Sequence, residues 1–209
     1  MSATATTRDA TVRKRRQSQK SERTRQHIID AAIKCIAQYG YTGATLAVVA
    51  EVAGLSRGPR QYYFPSKTDL MVAVWQEIIE RASQSMRNAN LDADHPKESL
   101  RRLMDAEIKR SAREEYLVDL ELKLAIRGDR ELGDILSPLI DAFERSVDDW
   151  WIDLFAKTGR SREELLAARY QFTWLLRGLA MEKITRHDIA VSAMERQFRD
   201  TVFAVLFDE

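Results

Sequence analysis

The residues best equipped for chemistry crowd into one stretch, "LSRGPRQYYFPSKTDL", residues 55–70. Arg57 and Arg60 carry fork donors that suit a phosphate or the O6/N7 edge of guanine, and Gln61 suits adenine. Tyr62 and Tyr63 offer hydroxyls on rigid rings. Gly58 permits close approach of the backbone, and Ser56 with the first N–H groups of a helix suits a phosphate. Lys67 falls in the first turn of the following helix, where a cation opposes the dipole by about 0.3–1 kcal/mol. A phosphate there would reverse that sign. Thr45, ten residues upstream, opens another helix and can point its hydroxyl the same way. Phe64 reads as core and Pro65 as a break. This is anion and base-edge chemistry, and the expected partner is double-stranded DNA.

Other reactive groups are sparse. Three His and the single Cys35 stand at no ligand spacing, so neither a metal site nor a cofactor is expected. Asp148, Asp149 and Asp153 are close, and Asp149 and Asp153 share a helix face. No Ser–His–acid or Cys–His pattern accompanies them, so no enzyme is expected. One cysteine excludes an internal disulfide and fits a reducing cytosol. No apolar run reaches the roughly 18 residues of a membrane span, and the N-terminus lacks a signal peptide's apolar region, so a cytoplasmic protein is expected.

Charge is distributed unevenly. Residues 1–67 hold 12 Lys/Arg against 4 Asp/Glu, whereas residues 68–209 hold 21 against 28. A basic segment on an acidic remainder suits a polyanion partner. Residues 1–20 carry +5 of this charge and read as a basic disordered arm; its "RKRR" either touches DNA or stays solvated.

The elements that must position these groups are helices. Gly (8) and Pro (4) are scarce in 209 residues, and Ala, Leu, Glu, Arg and Ile dominate. Ile29, Ala32, Ile33 and Ile36 place a first helix over 21–39, ended by Gly40. A short helix follows over 45–54 with Leu46, Val49, Ala50 and Ala53 inward. A turn at Gly54–Leu55 and a further short helix from Ser56 complete a helix-turn-helix spacing. Ser66-x-x-Asp69 resembles a capping box and opens a helix to about Arg87. Beyond a loop at 88–99, helices are expected over about 97–112 and 114–127. "RGDRELGD" then interrupts the pattern, and Pro138 either starts or kinks a helix. A turn at 157–160, a helix from the Ser161-x-x-Glu164 box to about Arg186, and a last helix over about 188–207 follow.

Residues 24–70 resemble the N-terminal domain of the TetR family of bacterial transcriptional regulators, through "IIDAAIKCIAQYGYTGATLAVVAEVAGLSRGPRQYYFPSKTDLM". Gly40, Thr45, the Ala50-to-Gly54 spacing, Ser56, Gly58, Phe64, Ser66-Lys67 and Leu70 carry the likeness. It implies an all-α fold: a three-helix DNA-binding domain (21–68) and a larger helical ligand-binding and dimerisation domain (69–209). It also implies a homodimer on a palindromic operator, released by a small-molecule effector. Thr45, Ser56, Arg57, Gly58, Tyr62, Tyr63 and Lys67 fall in its DNA-contacting segments. Many members read Gly-x-Leu-Tyr where this chain has Gly58-Pro59-Arg60-Gln61. That departure marks Arg60 and Gln61 as base readers, with a phosphate contact as the alternative for Arg60. The changed positions also leave open an interaction protein that works through a protein partner.

In the larger domain, Met104, Tyr116, Trp150, Trp151, Phe172, Trp174 and Arg177 are the candidate pocket residues. Trp150 and Trp151 lie about 100° apart on a helix and cannot face the same way. The resemblance pairs the last two helices with their twofold mates, and Leu175, Leu179, Met194, Phe198, Val202 and Val205 are the candidate interface.

Overall fold

In the computed structural model, residues 3–56, 61–185 and 191–207 are described. Among them every regular element is helical: α1 (Ala3–Gly43), α2 (Leu46–Val52), α3 (Lys67–Asn88), α4 (Pro96–Ser111), α5 (Glu114–Ala125), α6 (Arg130–Phe155), α7 (Arg162–Thr185) and α8 (Val191–Phe207). A 3₁₀ turn, Ala156–Thr158, follows α6, and residues 61–63 are helical. The chain divides into two compact units, Met1–Trp75 and Gln76–Glu209.

The first unit is built on α1. Its stripe of Ile28, Ile29, Ala32, Ile33 and Ile36 is buried with Val49, Ala50, Phe64, Leu70 and Val74. The backbone leaves helical geometry at Gly40 (φ 70°, ψ 174°), which only glycine adopts without strain. Residues 3–20, expected to be a disordered arm, continue α1 upstream. They contain neither Gly nor Pro, and extending a formed helix avoids the cost of a new nucleus.

In the second unit α6 begins eight residues before Pro138, so "RELGD" is helix rather than interruption. Asp129 caps it, accepting from the Leu132 N–H at 3.0 Å. Pro138 and Asp134, whose carbonyl loses its helical donor, both lie on the exposed face, where water can serve that oxygen. The Ser161 box forms as expected: Ser161 N–H and Oγ–H donate to Glu164 Oε2, both at 2.8 Å. The core is an aromatic column. Trp151 packs on Phe155 (4.6 Å between centroids) and on Phe172 (5.5 Å), and Phe172 packs on Phe198 (5.3 Å). Leu100, Met104, Leu165, Ala168, Val202 and Leu206 close around it.

Candidate nucleic-acid interface and internal cavity

The helix-turn-helix is held by local hydrogen bonds. Thr45 Oγ1 accepts from the Val48 N–H at 3.3 Å and caps α2. At the other end Leu55 N–H donates to Ala50 O and Gly54 N–H to Glu51 O, both at 2.9 Å. With Gly54 at φ 62°, this pairing is a Schellman turn. His27 Nε2 lies 3.0 Å from Ala53 O, tying α1 to the same turn. The Ser66 box also closes: Ser66 Oγ–H donates to Asp69 Oδ2 at 2.7 Å and Asp69 N–H to Ser66 Oγ at 3.0 Å.

The expected DNA-contacting residues divide by their surroundings. Thr45, Ser56, Gln61 and Tyr62 are exposed. Tyr62 stands 79% open, its ring edge-on to Tyr63 at 5.0 Å. Tyr63 is half-buried, and its hydroxyl lies 3.0 Å from Ser21 Oγ, so it fastens residues 61–63 to α1. Lys67 donates from Nζ to Tyr41 O at 2.7 Å and lies 3.9 Å from the centre of the Tyr41 ring. That tie bridges the C-terminal end of α1 to the start of α3. Arg57, Gly58 and Arg60 lie outside the described residues.

The second unit encloses a cavity of about 460 Å³ between α3, α4, α5, α6 and α7. Of the expected pocket residues, Tyr116, Trp150, Trp151, Phe172 and Arg177 line it. Trp150 and Trp151 both contribute; Trp151 is buried and Trp150 half-buried. The other two do not line it. Met104 is fully buried in the core behind the wall, and Trp174, 64% exposed, stacks on Tyr170 at the surface. The helical stripe places 172 and 176 inward and turns 174 away.

Charged residues make up much of the wall. Arg110 grips Glu107 through Nε–Oε1 (2.9 Å) and Nη2–Oε2 (2.5 Å), and Lys123 meets Asp119 at 2.8 Å. Glu144 is shared by Arg169 (2.9 Å), Arg177 (3.4 Å) and Lys123 (3.8 Å). Arg169 also binds Asp148, which accepts from Tyr170 Oη at 3.2 Å. Burial pushes the Glu144 carboxyl up, but the Arg169 hydrogen bond and the Lys123, Arg169 and Arg177 charges outweigh it. The carboxyl is held below its usual range. Burial raises the Tyr116 phenol to about 12, so it keeps its proton.

Sequence reading missed Glu107, Asp119, Glu144 and Arg169. A signal was present. Arg169 falls at the inward register of Leu165, Ala168, Phe172 and Leu176, and Glu107 at that of Leu100, Leu103, Met104 and Ile108. A charge on an apolar stripe must be paired when buried. Asp148 and Asp149 bind Arg169 and Arg162, so two of the three α6 carboxylates are held in ion pairs.

The expected dimer-interface residues differ in exposure. Leu179, Phe198 and Val202 are buried within the chain, at 4%, 4% and 0% exposure, and Val205 packs partly against the same core. Leu175 and Met194 are exposed, as are Trp174 and Met181.

Residues 28–74 match the family described as bacterial regulatory proteins, tetR family. Over 177 residues the chain is 24% identical to the HTH-type transcriptional regulator CymR of Pseudomonas putida, spanning 84% of this chain and 87% of that one. A TetR-family protein from Rhodococcus sp. shares its fold with a TM-score of 0.70 and 24% identity, over 88% of this chain and 98% of that one. A Saccharomonospora viridis protein solved in complex with choline has a TM-score of 0.67 and 21% identity, over 88% and 96%. The named relatives are regulators and not enzymes. Among the described residues no helix is long and apolar enough to cross a membrane. A capped turn, a family match over residues 28–74 and a shared two-part fold agree: residues 28–74 are a DNA-binding domain of the tetR type, and the chain is a DNA-binding transcriptional regulator.

Proposed function

We propose that the chain is a repressor that binds a palindromic operator as a homodimer and leaves it when a small molecule enters the cavity. The observation that carries this reading is the cavity itself. A domain needed only for folding would fill such a space, since interiors pack as densely as organic crystals. Its volume of about 460 Å³ lies in the range of small-molecule sites, about 300–1,000 Å³. The choline complex is a precedent for a small organic ligand within this fold. Residues 21–68 form the DNA-binding head and 69–209 the sensing and dimerising part. The dimer face is drawn from the exposed Trp174, Leu175, Met181 and Met194 of α7 and α8.

On DNA, Thr45, Ser56, Tyr62 and Lys67 contact phosphates and Gln61 reads a base. Replacing Lys67 by Gln weakens binding to all duplexes alike and reduces the salt slope by about one per subunit. Tyr62→Phe also weakens all duplexes alike but leaves the slope unchanged, because no charge is lost. Gln61→Ala relaxes preference at one base pair per half-site, by about 1–3 kcal/mol. Titrations of a selected operator and a scrambled duplex, each against salt, separate the three. A Lys67→Gln protein with an unaltered slope would remove Lys67 from the interface and leave it a structural role beside Tyr41.

A further inference from the structure

We propose that the cavity's ligand is an organic carboxylate, a flat apolar body whose carboxylate pairs with Arg177. This rests on the effector reading above and names the chemistry of the ligand.

The wall is rich in cations and hydrogen-bond donors. Arg87, Arg110, Lys123, Arg169 and Arg177 line the cavity against three carboxylates, Glu107, Asp119 and Glu144. Each carboxylate already holds a cation, Glu107 on Arg110, Asp119 on Lys123 and Glu144 on three. A cationic ligand would therefore meet only carboxylates whose charge is already compensated. Two wall cations take further partners that do not line the cavity: Glu80 for Arg87 and Asp148 for Arg169.

Arg177 is the cation most readily turned to a ligand. Its ion pair with Glu144 is long, at 3.4 Å, and its side chain is 36% exposed. If Arg177 swings to a ligand, Glu144 keeps Arg169 and Lys123 and is not left as a lone buried charge. A guanidinium and a carboxylate match in two parallel hydrogen bonds, which no amide or ester reproduces.

The second observation is Trp151. It lines the cavity, and its indole N–H is buried without a protein acceptor among the described residues. Buried donors are almost always matched, so this one calls for an acceptor oxygen. Tyr116, protonated across the physiological range, adds a phenolic O–H to the same wall. Phe143, Trp150, Phe172 and Leu176 supply the apolar surface for a flat body.

The test uses the full chain and tryptophan fluorescence titration. Benzoate, 2-naphthoate and decanoate are each compared with the primary amide and the amine of the same body. The expected result is that a carboxylate binds at least about tenfold tighter than its own amide and amine. In Arg177→Met that preference is lost while the thermal midpoint of the unliganded protein is retained, and Arg177→Lys restores part of it. Trp151→Phe weakens the same ligand without changing the carboxylate preference. The proposal is overturned if an amide or amine equals its carboxylate, if the preference survives in Arg177→Met, or if no carboxylate binds. Release of a bound operator duplex is measured separately. A carboxylate that binds through Arg177 and leaves the duplex bound would keep the ligand class and sink the effector reading.

Discussion

Arg169→Met costs about 3 kcal/mol of stability, the lower end of what breaking a buried ion pair costs. Arg169 is 4% exposed and sits on the apolar stripe of α7, with Glu144 on one side and Asp148 on the other. Methionine fills most of the volume, so the loss is electrostatic rather than a cavity. It falls at the lower end because Glu144 keeps Lys123 and Arg177. Urea unfolding near neutral pH measures it. The pH dependence follows from Glu144, whose folded-state carboxyl is held below its usual range. A depressed carboxyl contributes stability that is fully present above its unfolded pKa and is lost as pH falls through the folded value. The gap between the parent and Arg169→Met therefore narrows as the solution is acidified below the ordinary carboxylate range. A gap that is constant with pH would mean that Arg169 stabilises through packing alone.

Phe64→Ala removes the core of the DNA-binding head. Phe64 is 2% exposed and follows directly on the helical residues 61–63, with the Arg25 guanidinium 5.5 Å from its ring centre. Truncating a buried phenylalanine costs about 3–5 kcal/mol. Hydrogen exchange should accelerate across 21–75, and operator affinity should fall by more than about tenfold, because only the folded fraction of heads can bind. Ligand binding in the cavity, whose wall lies wholly within 76–209, should persist. Retention of operator affinity would mean that the recognition segment is positioned by contacts other than Phe64.

The first unit was largely readable because its signals are local. Thr45 caps within three residues, the Ser66 box closes over the same span, and Gly40 and Gly54 stand where φ turns positive. The start of α6 was misread for a related reason. Pro138 is accommodated inside α6 on an exposed face, where water can serve the carbonyl it leaves unpaired, and exposure is not a local property. The cavity was half legible. Its aromatics announced themselves, but the pairs Glu107–Arg110 and Asp119–Lys123 have the i, i+3 and i, i+4 spacing of ordinary surface pairs. Only the stripe register of Glu107 and Arg169 distinguishes them. Leu179, Phe198 and Val202, expected at an interface, are buried within the chain, because an apolar stripe does not say whose core it enters.

A homodimeric repressor must recognise a defined duplex. The direct test is selection of bound duplexes from a random pool, followed by titration of the selected sequence against salt. The expected result is an inverted repeat, with half-sites about one helical turn apart or a multiple of it. Binding to it should depend steeply on salt, and the Lys67→Gln protein should share that dependence only in part. Enrichment of no sequence, at a protein concentration where the dimer is demonstrated, would contradict the repressor reading.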